Sequence, residues 1–182
     1  MSNSRGFWVR WRVSAGYPVA AVCFWLAWPT WRTLEIGTAL GVVGLIVRAL
    51  AAGVVRKREE LTTSGIYSWT RNPLYFGSVI LAAGIIVASR SWIVAALVSG
   101  YLAVFYPTVI RSEELFLRGR FGADFDSYAA QVSVFLPWPS GRKRNGGTFS
   151  FAKYARNHEY RALAGAIVGF GLLIGRMWLR AR

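Results

Sequence analysis

Three polar stretches in this chain combine residue types that can hold a small charged molecule. In the first, Gly65-Ile66-Tyr67 is followed by Arg71-Asn72-Pro73-Leu74-Tyr75-Phe76-Gly77. Proline suits the first position of a helix, where its missing N–H costs nothing, and the residue before it is held extended. Pro73 therefore opens a helix with Asn72 as its N-cap. The N–H groups at such a helix start, helped by Arg71, form an anion site. A plain capped helix start with an interfacial Arg and Tyr belt accounts for the same residues.

The second stretch carries the adjacent acids Glu113 and Glu114. Neighbouring helical positions point about 100° apart, so the two carboxylates do different jobs. One suits ribose hydroxyls or an ammonium group; the other suits pairing with an arginine. The competing reading is local pairing at helical spacing, Arg111 with Glu114 and Glu114 with Arg118. Phe121-Gly122 ends this helix, Asp124 to Tyr128 begins another turn, and Val134 to Pro139 is an apolar stretch suited to lying on a membrane. The third stretch runs from Lys153 to Arg161. It reads either as a basic juxtamembrane helix on lipid headgroups or as a polar lining that faces substrate. Arg156, Glu159 and Arg161 are its candidates for the acceptor side, with Arg156 and Tyr160 on one helical face and His158 and Arg161 on another.

The elements that must position these groups are apolar. The chain is 54% hydrophobic yet has a formal net charge of +14. Basic charge of that size suits phosphate backbones, but here Lys and Arg cluster between long apolar runs, the pattern of a polytopic membrane protein. Nucleic acid is therefore not the expected partner. Five apolar runs stand at about 15–31, 34–55, 74–88, 92–110 and 162–179, and inside lipid they must be helices. The expected fold is all-α, a membrane bundle of about five helices forming a single domain over 1–182. Its motif-bearing core spans about 61–139 and its C-terminal helix about 153–180. Arg5, Arg10 and Arg12, then Arg56 to Arg58, then the basic stretch from Arg111 to Arg161 put the N-terminus, the second loop and the long fourth connection in the cytoplasm. Arg176, inside the last run, and Arg180 and Arg182 beyond it sit awkwardly in that scheme, so this segment is expected to be tilted, re-entrant or interfacial. Gly37 and Gly41, Gly165 and Gly169, and Gly171 and Gly175 are four apart, which lets membrane helices approach closely. Packing within one monomer is the expected use, with a weak homodimer as the alternative. One cysteine and one histidine leave no metal site to expect, and Ser140 to Thr148 reads as a flexible basic loop beside anionic headgroups.

At the polar stretches the sequence resembles the isoprenylcysteine carboxyl methyltransferase and phospholipid methyltransferase superfamily, over roughly 61–139. The first signature is carried by Gly65, Tyr67, Arg71-Asn72-Pro73, Tyr75 and Gly77. The second is carried by Glu113-Glu114, Leu117, Phe121-Gly122, Phe125 and Tyr128. The resemblance implies a helical membrane enzyme with S-adenosylmethionine in a cytosolic pocket, held by Tyr67, Arg71, Asn72, Pro73, Tyr75, Glu113 and Glu114. Asn72 stands where many members have His, Phe125 where Tyr is usual, and His158 where some bacterial relatives have Arg. The expected reaction is methyl transfer to a lipid-like or prenylated acceptor at a bacterial inner membrane, with the acceptor a carboxylate. That chemistry needs no general base, because the acceptor is already ionised, and the site must mainly align the reacting atoms. An amine acceptor of the phosphatidylethanolamine kind needs a base and is the nearest alternative. A nicotinamide-dependent reductase lacks its Gly-rich turn here. A non-catalytic lipid-binding protein is the alternative of another class.

Overall fold

The computed structural model describes residues 16–56, 59–138 and 147–180. The cationic residues Arg5, Arg10, Arg12, Lys57, Arg58, Arg142, Lys143, Arg144 and Arg182, with Pro139 and most of the basic loop, lie outside the described residues. Among the described residues, seven α-helices and one 3₁₀ turn follow in order: α1 Gly16–Leu26, α2 Trp31–Val54, the turn η1 Gly65–Ser68, α3 Pro73–Ser89, α4 Trp92–Phe121, α5 Ala123–Gln131, α6 Phe151–Arg156 and α7 Tyr160–Arg180. No strand occurs among the described residues. Helices α2, α4 and α7 are long and apolar enough to cross a membrane. α1 and α3 are shorter apolar helices, so the all-helical membrane bundle expected from the apolar runs is the fold found.

Several boundaries differ from the sequence reading. The first run ends at Leu26 rather than Trp31, because Trp28 precedes a proline and is biased out of helix. Thr30 then starts α2 through a reciprocal capping box with Thr33, and Trp31 belongs to the second helix. α4 ends at Phe121, as the Phe121-Gly122 stop predicts, but is continuous with the apolar run that ends near residue 110, and so carries Glu113 and Glu114 on the same rod as the span. The expected C-terminal helix is two helices. His158, at a left-handed φ of 55°, breaks it between α6 and α7.

The helices run back and forth between two ends. At one end the α1–α2 turn meets the α3–α4 turn: Trp28 N–H donates to the Ser89 carbonyl at 2.8 Å and Thr33 Oγ1 to the Ala88 carbonyl at 3.3 Å. The last turns of α7 arrive there too. Arg176 donates to the Trp25 carbonyl at 3.0 Å and lies over the Phe24 and Trp25 rings, while Arg180 covers Trp28. Arg176 thus neutralises the negative end of α1 and stacks on aromatic faces, which accommodates its charge within the last apolar run.

Close packing is concentrated between α2 and α3. A Cβ on Gly37 would lie 2.4 Å from the Gly84 carbonyl oxygen, and one on Gly44 would lie 2.6 Å from that of Gly77. Gly41 leaves room for the Phe170 ring of α7. The Gly165, Gly169, Gly171 and Gly175 pairs behave otherwise: a Cβ on any of them meets nothing within 4 Å. They make no close approach among the described residues, contrary to the expectation drawn from their spacing.

Gly84→Val should therefore lower stability by about 2 kcal/mol, the scale of overpacking in a dense interface, whereas Gly165→Ala should leave it unchanged or slightly raised. Thermal unfolding of both variants in one detergent gives the comparison, and equal melting temperatures would contradict the seam.

Candidate functional site

At the opposite end the polar stretches come together. Gly65, at φ +61°, opens η1, and the chain then runs as an irregular strip through Thr70 and Asn72, whose ψ of 54° departs from the extended backbone expected before proline, to Pro73. That strip is tied to the segment after α5. Arg71 N–H donates to the Ser133 carbonyl at 2.8 Å, Trp138 N–H to the Trp69 carbonyl at 3.0 Å, and Thr70 Oγ1 to the Phe135 carbonyl at 2.9 Å. Asn72 begins α3 as expected, but its side chain does not cap the helix; Nδ2 donates instead to the Val134 carbonyl at 2.9 Å. A buried cluster of Phe125, Tyr128 and Val132 packs beneath on Leu61, Leu117 and Phe121, and the Tyr128 hydroxyl donates to the Tyr67 carbonyl at 2.7 Å.

A cavity of about 470 Å³ opens between these pieces, lined by the loop after α2, η1, the first turn of α3, the later turns of α4, and α5. Its wall includes Tyr67, Arg71, Asn72, Pro73, Tyr75, Glu113 and Glu114, all seven residues expected on the cofactor side. The Tyr75 hydroxyl donates to Glu113 Oε2 at 3.1 Å and its ring packs edge-on against Tyr106. Arg71 Nε lies 2.9 Å from Glu114 Oε1, both side chains largely shielded from solvent. Arg71 Nη1 also donates to the Ala129 carbonyl at 2.8 Å. The local pairs weighed for Glu114 do not form: its cation is Arg71, and Arg118 pairs with Asp126 at 2.7 Å. Helical spacing allowed those pairs, but the tertiary fold delivers a closer and better-buried guanidinium.

Arg156, Glu159 and Arg161 do not line the cavity. Glu159 is buried in a bidentate pair with Arg48 of α2, at 2.5 and 3.0 Å. Arg156 lies 3.4 Å from Glu59 in an exposed pair, and Arg161 is exposed on the first turn of α7. His158 Nδ1 lies 3.2 Å from the Tyr160 hydroxyl, also at the surface.

The model of the family described as phospholipid methyltransferase matches residues 11–124. The chain belongs to that family. Among curated proteins it is 34% identical over 136 residues to the cobalt-zinc-cadmium resistance protein CzcN of Cupriavidus metallidurans, covering 70% of this chain and 62% of that protein. It is 36% identical over 102 residues to the nickel-cobalt-cadmium resistance protein NccN of Alcaligenes xylosoxydans xylosoxydans, covering 56% and 47%. It is 31% identical over 120 residues to a probable protein-S-isoprenylcysteine O-methyltransferase of Oryza sativa subsp. indica, covering 59% and 63%. The chain thus spans less than two thirds of each of these relatives. No solved structure matches it.

Within this phospholipid methyltransferase-family chain, sequence reasoning missed two sets of residues. The first caps α2. Asn157 Nδ2 donates to the Ala52 and Val55 carbonyls, Lys153 Nζ to that of Val54, and Ser150 N–H to that of Gly53. Four carbonyls at a helix end need such partners, but nothing in the local sequence near residue 54 announces them. The second is Arg48, a charge inside an apolar run. That pattern is a signal in itself, since ionisable groups within membrane segments are rare and used.

Tyr67 is buried, and its phenol is pushed well above its ordinary value, first by burial and then by the negative charge of Glu113 with smaller contributions from Tyr128, Glu159 and Tyr75. It remains a neutral hydroxyl. The unfolded phenol ionises near pH 10 while the folded one does not, so this residue's contribution to stability is complete below about pH 10 and declines above it. Tyr67→Phe should leave the phenolate absorbance of the native protein unchanged up to about pH 11 and lower that of the unfolded chain by one tyrosine. Tyr128→Phe, which removes the hydroxyl bound to the Tyr67 carbonyl, should cost about 1 kcal/mol in denaturant or thermal unfolding.

Proposed function

We propose that this chain transfers a methyl group from S-adenosylmethionine to the carboxylate of a lipid-like acceptor, an O-methylation of the isoprenylcysteine type. The observation that carries the reading is the Tyr75–Glu113 hydrogen bond beside the Arg71–Glu114 pair. Two polar stretches nearly forty positions apart thereby share one cavity, of a size suited to a small cofactor. Family membership and a relative named for isoprenylcysteine O-methylation support it.

The charges of the cavity fit the donor. Its wall holds three carboxylates, Glu60, Glu113 and Glu114, and two guanidiniums, Arg56 and Arg71. Arg56 lies 3.7 Å from Glu60 and Arg71 lies 2.9 Å from Glu114. Glu113 is then the carboxylate whose partner is a neutral hydroxyl. The wall therefore carries one net negative charge among the described residues, which favours a cationic ligand. We assign Glu113 to the donor's amino group or ribose, Arg71 and the start of α3 to its carboxylate, and Tyr67 and Tyr75 to aromatic walls. When bound, S-adenosylmethionine supplies an electrophilic methyl group on a sulfonium. The residues of the chain align the acceptor oxygen and exclude water. Arg156 and Arg161, outside the cavity, draw an anionic acceptor to the interface. We assign this end to the cytoplasmic face of a bacterial inner membrane, a reading supported by the Lys and Arg bias of the connecting segments in the sequence.

A second reading, N-methylation of an amine lipid, is favoured by Glu113 itself, a carboxylate with no cation partner among the described residues and able to take a proton. One experiment separates the two. Methyl-labelled cofactor incubated with purified protein and a lipid extract should give label that alkali releases as methanol. Alkali-stable label would point to the amine, and absence of label in lipid would remove both. Titration calorimetry should show Arg71→Ala and Glu113→Ala each weakening S-adenosylmethionine binding by about tenfold or more, the scale of a lost hydrogen bond to a charged group; undiminished affinity in both would remove these assignments.

A further inference from the structure

Arg48 stands within the apolar length of α2, and its guanidinium is used on three sides. Nε and Nη2 take the two carboxylate oxygens of Glu159, at 2.5 and 3.0 Å. Nη1 donates to the Leu74 carbonyl at 3.3 Å and to Ser78 Oγ. Glu159 is 6% exposed, at the corner between α6 and α7. Gly77 makes the route possible, because a Cβ there would lie 2.7 Å from Arg48 Cγ. One side chain therefore joins α2, the first turn of α3 and the start of α7.

The glycine seam already holds α2 against α3, so cohesion does not require this network. What Arg48 adds is a fixed height and rotation for the opening turn of α3. Leu74 and Tyr75 in that turn line the cavity, and Tyr75 holds Glu113. Glu159 keeps Arg48 there: deprived of its carboxylate, a guanidinium this close to the helix end would extend toward water and release Leu74. Breaking a shielded pair by removing one member leaves an uncompensated charge.

We propose that Arg48 and Glu159 are positioning residues, which set the opening turn of α3 and through it the wall that holds the methyl donor. The proposal rests on the donor reading of the cavity. It places Glu159 behind the wall, acting on the site through Arg48 and Leu74.

The test compares wild type, Arg48→Lys, Ser78→Ala, Glu159→Arg and the double exchange Arg48→Glu with Glu159→Arg, using melting temperature, calorimetric S-adenosylmethionine affinity and hydrogen exchange of the amides from Tyr75 to Ser78. The double exchange restores a charge pair, but glutamate at position 48 cannot donate to Leu74 or Ser78. It should regain most of the melting temperature lost by Glu159→Arg alone and still bind the donor about tenfold more weakly than wild type. Affinity that returns together with stability would overturn the proposal, since the pair would then be structural only. If the double exchange does not fold, Ser78→Ala decides. It removes the hydroxyl that accepts from Arg48 and donates to the Leu74 carbonyl, and should weaken donor binding about threefold with faster exchange in that turn; unchanged affinity and exchange overturn the proposal. If wild type binds no donor at all, the functional reading fails separately. The clamp is then judged by exchange alone: faster exchange in Arg48→Lys supports it, and equal exchange rejects it.

Discussion

The tie between the strip at residues 69–72 and the segment at residues 132–138 is what the site depends on. It consists of backbone and side-chain hydrogen bonds between two stretches more than sixty positions apart. Neither stretch forms a helix or a sheet, so each would leave backbone polar groups unsatisfied without the other. Their union puts Arg71 against Glu114 and draws α5 under η1, where Tyr128 holds the Tyr67 carbonyl. The cavity is the space left between these stitched loops and the ends of α3 and α4. Without the stitching, α3 and α4 would be two apolar rods with a few polar residues near their ends.

Charge in this molecule is sorted by end. The carboxylates of the cavity each meet a defined partner: Glu60 meets Arg56, Glu114 meets Arg71, and Glu113 meets the Tyr75 hydroxyl. Glu159 is matched by Arg48 just behind the wall. A shielded carboxylate is costly unless paired or hydrogen-bonded, so Glu114 and Glu159 need their arginines, whereas Glu60 and Glu113 are exposed. At the far end the cations are met differently, with Arg176 on a helix-end carbonyl and on aromatic rings and Arg180 on Trp28. Each end thus handles charge with the chemistry its neighbours supply.

The α2 helix links the two. Its glycines let α3 approach to backbone contact, and its last carbonyls are capped by Ser150, Lys153 and Asn157. The stretch from α6 into α7, which reads as a candidate substrate lining, is therefore first a lid on the end of α2. The same anchoring brings Glu159 to Arg48. Burying the end of a helix requires such partners, and here they come from a hundred positions downstream.

Much of this was readable from residues alone. The apolar runs determined an all-helical membrane bundle, because a backbone inside lipid has to satisfy itself locally. Pro73 determined where α3 begins and Phe121-Gly122 where α4 ends, and local rules cover both, since proline geometry and glycine turns act within a few positions. The family resemblance, not local rules, named seven of the residues that line the cavity. The tertiary structure decided the rest. It gave Glu114 to Arg71 instead of its helical neighbours, turned Asn72 from a cap into a tie to Val134, left the α7 glycines without a neighbour, and placed Glu159 on Arg48. Each of these is a choice among partners that sequence spacing allows equally. Such choices are settled by which groups the folded chain brings within reach and shields from water, and that is a property of the whole fold.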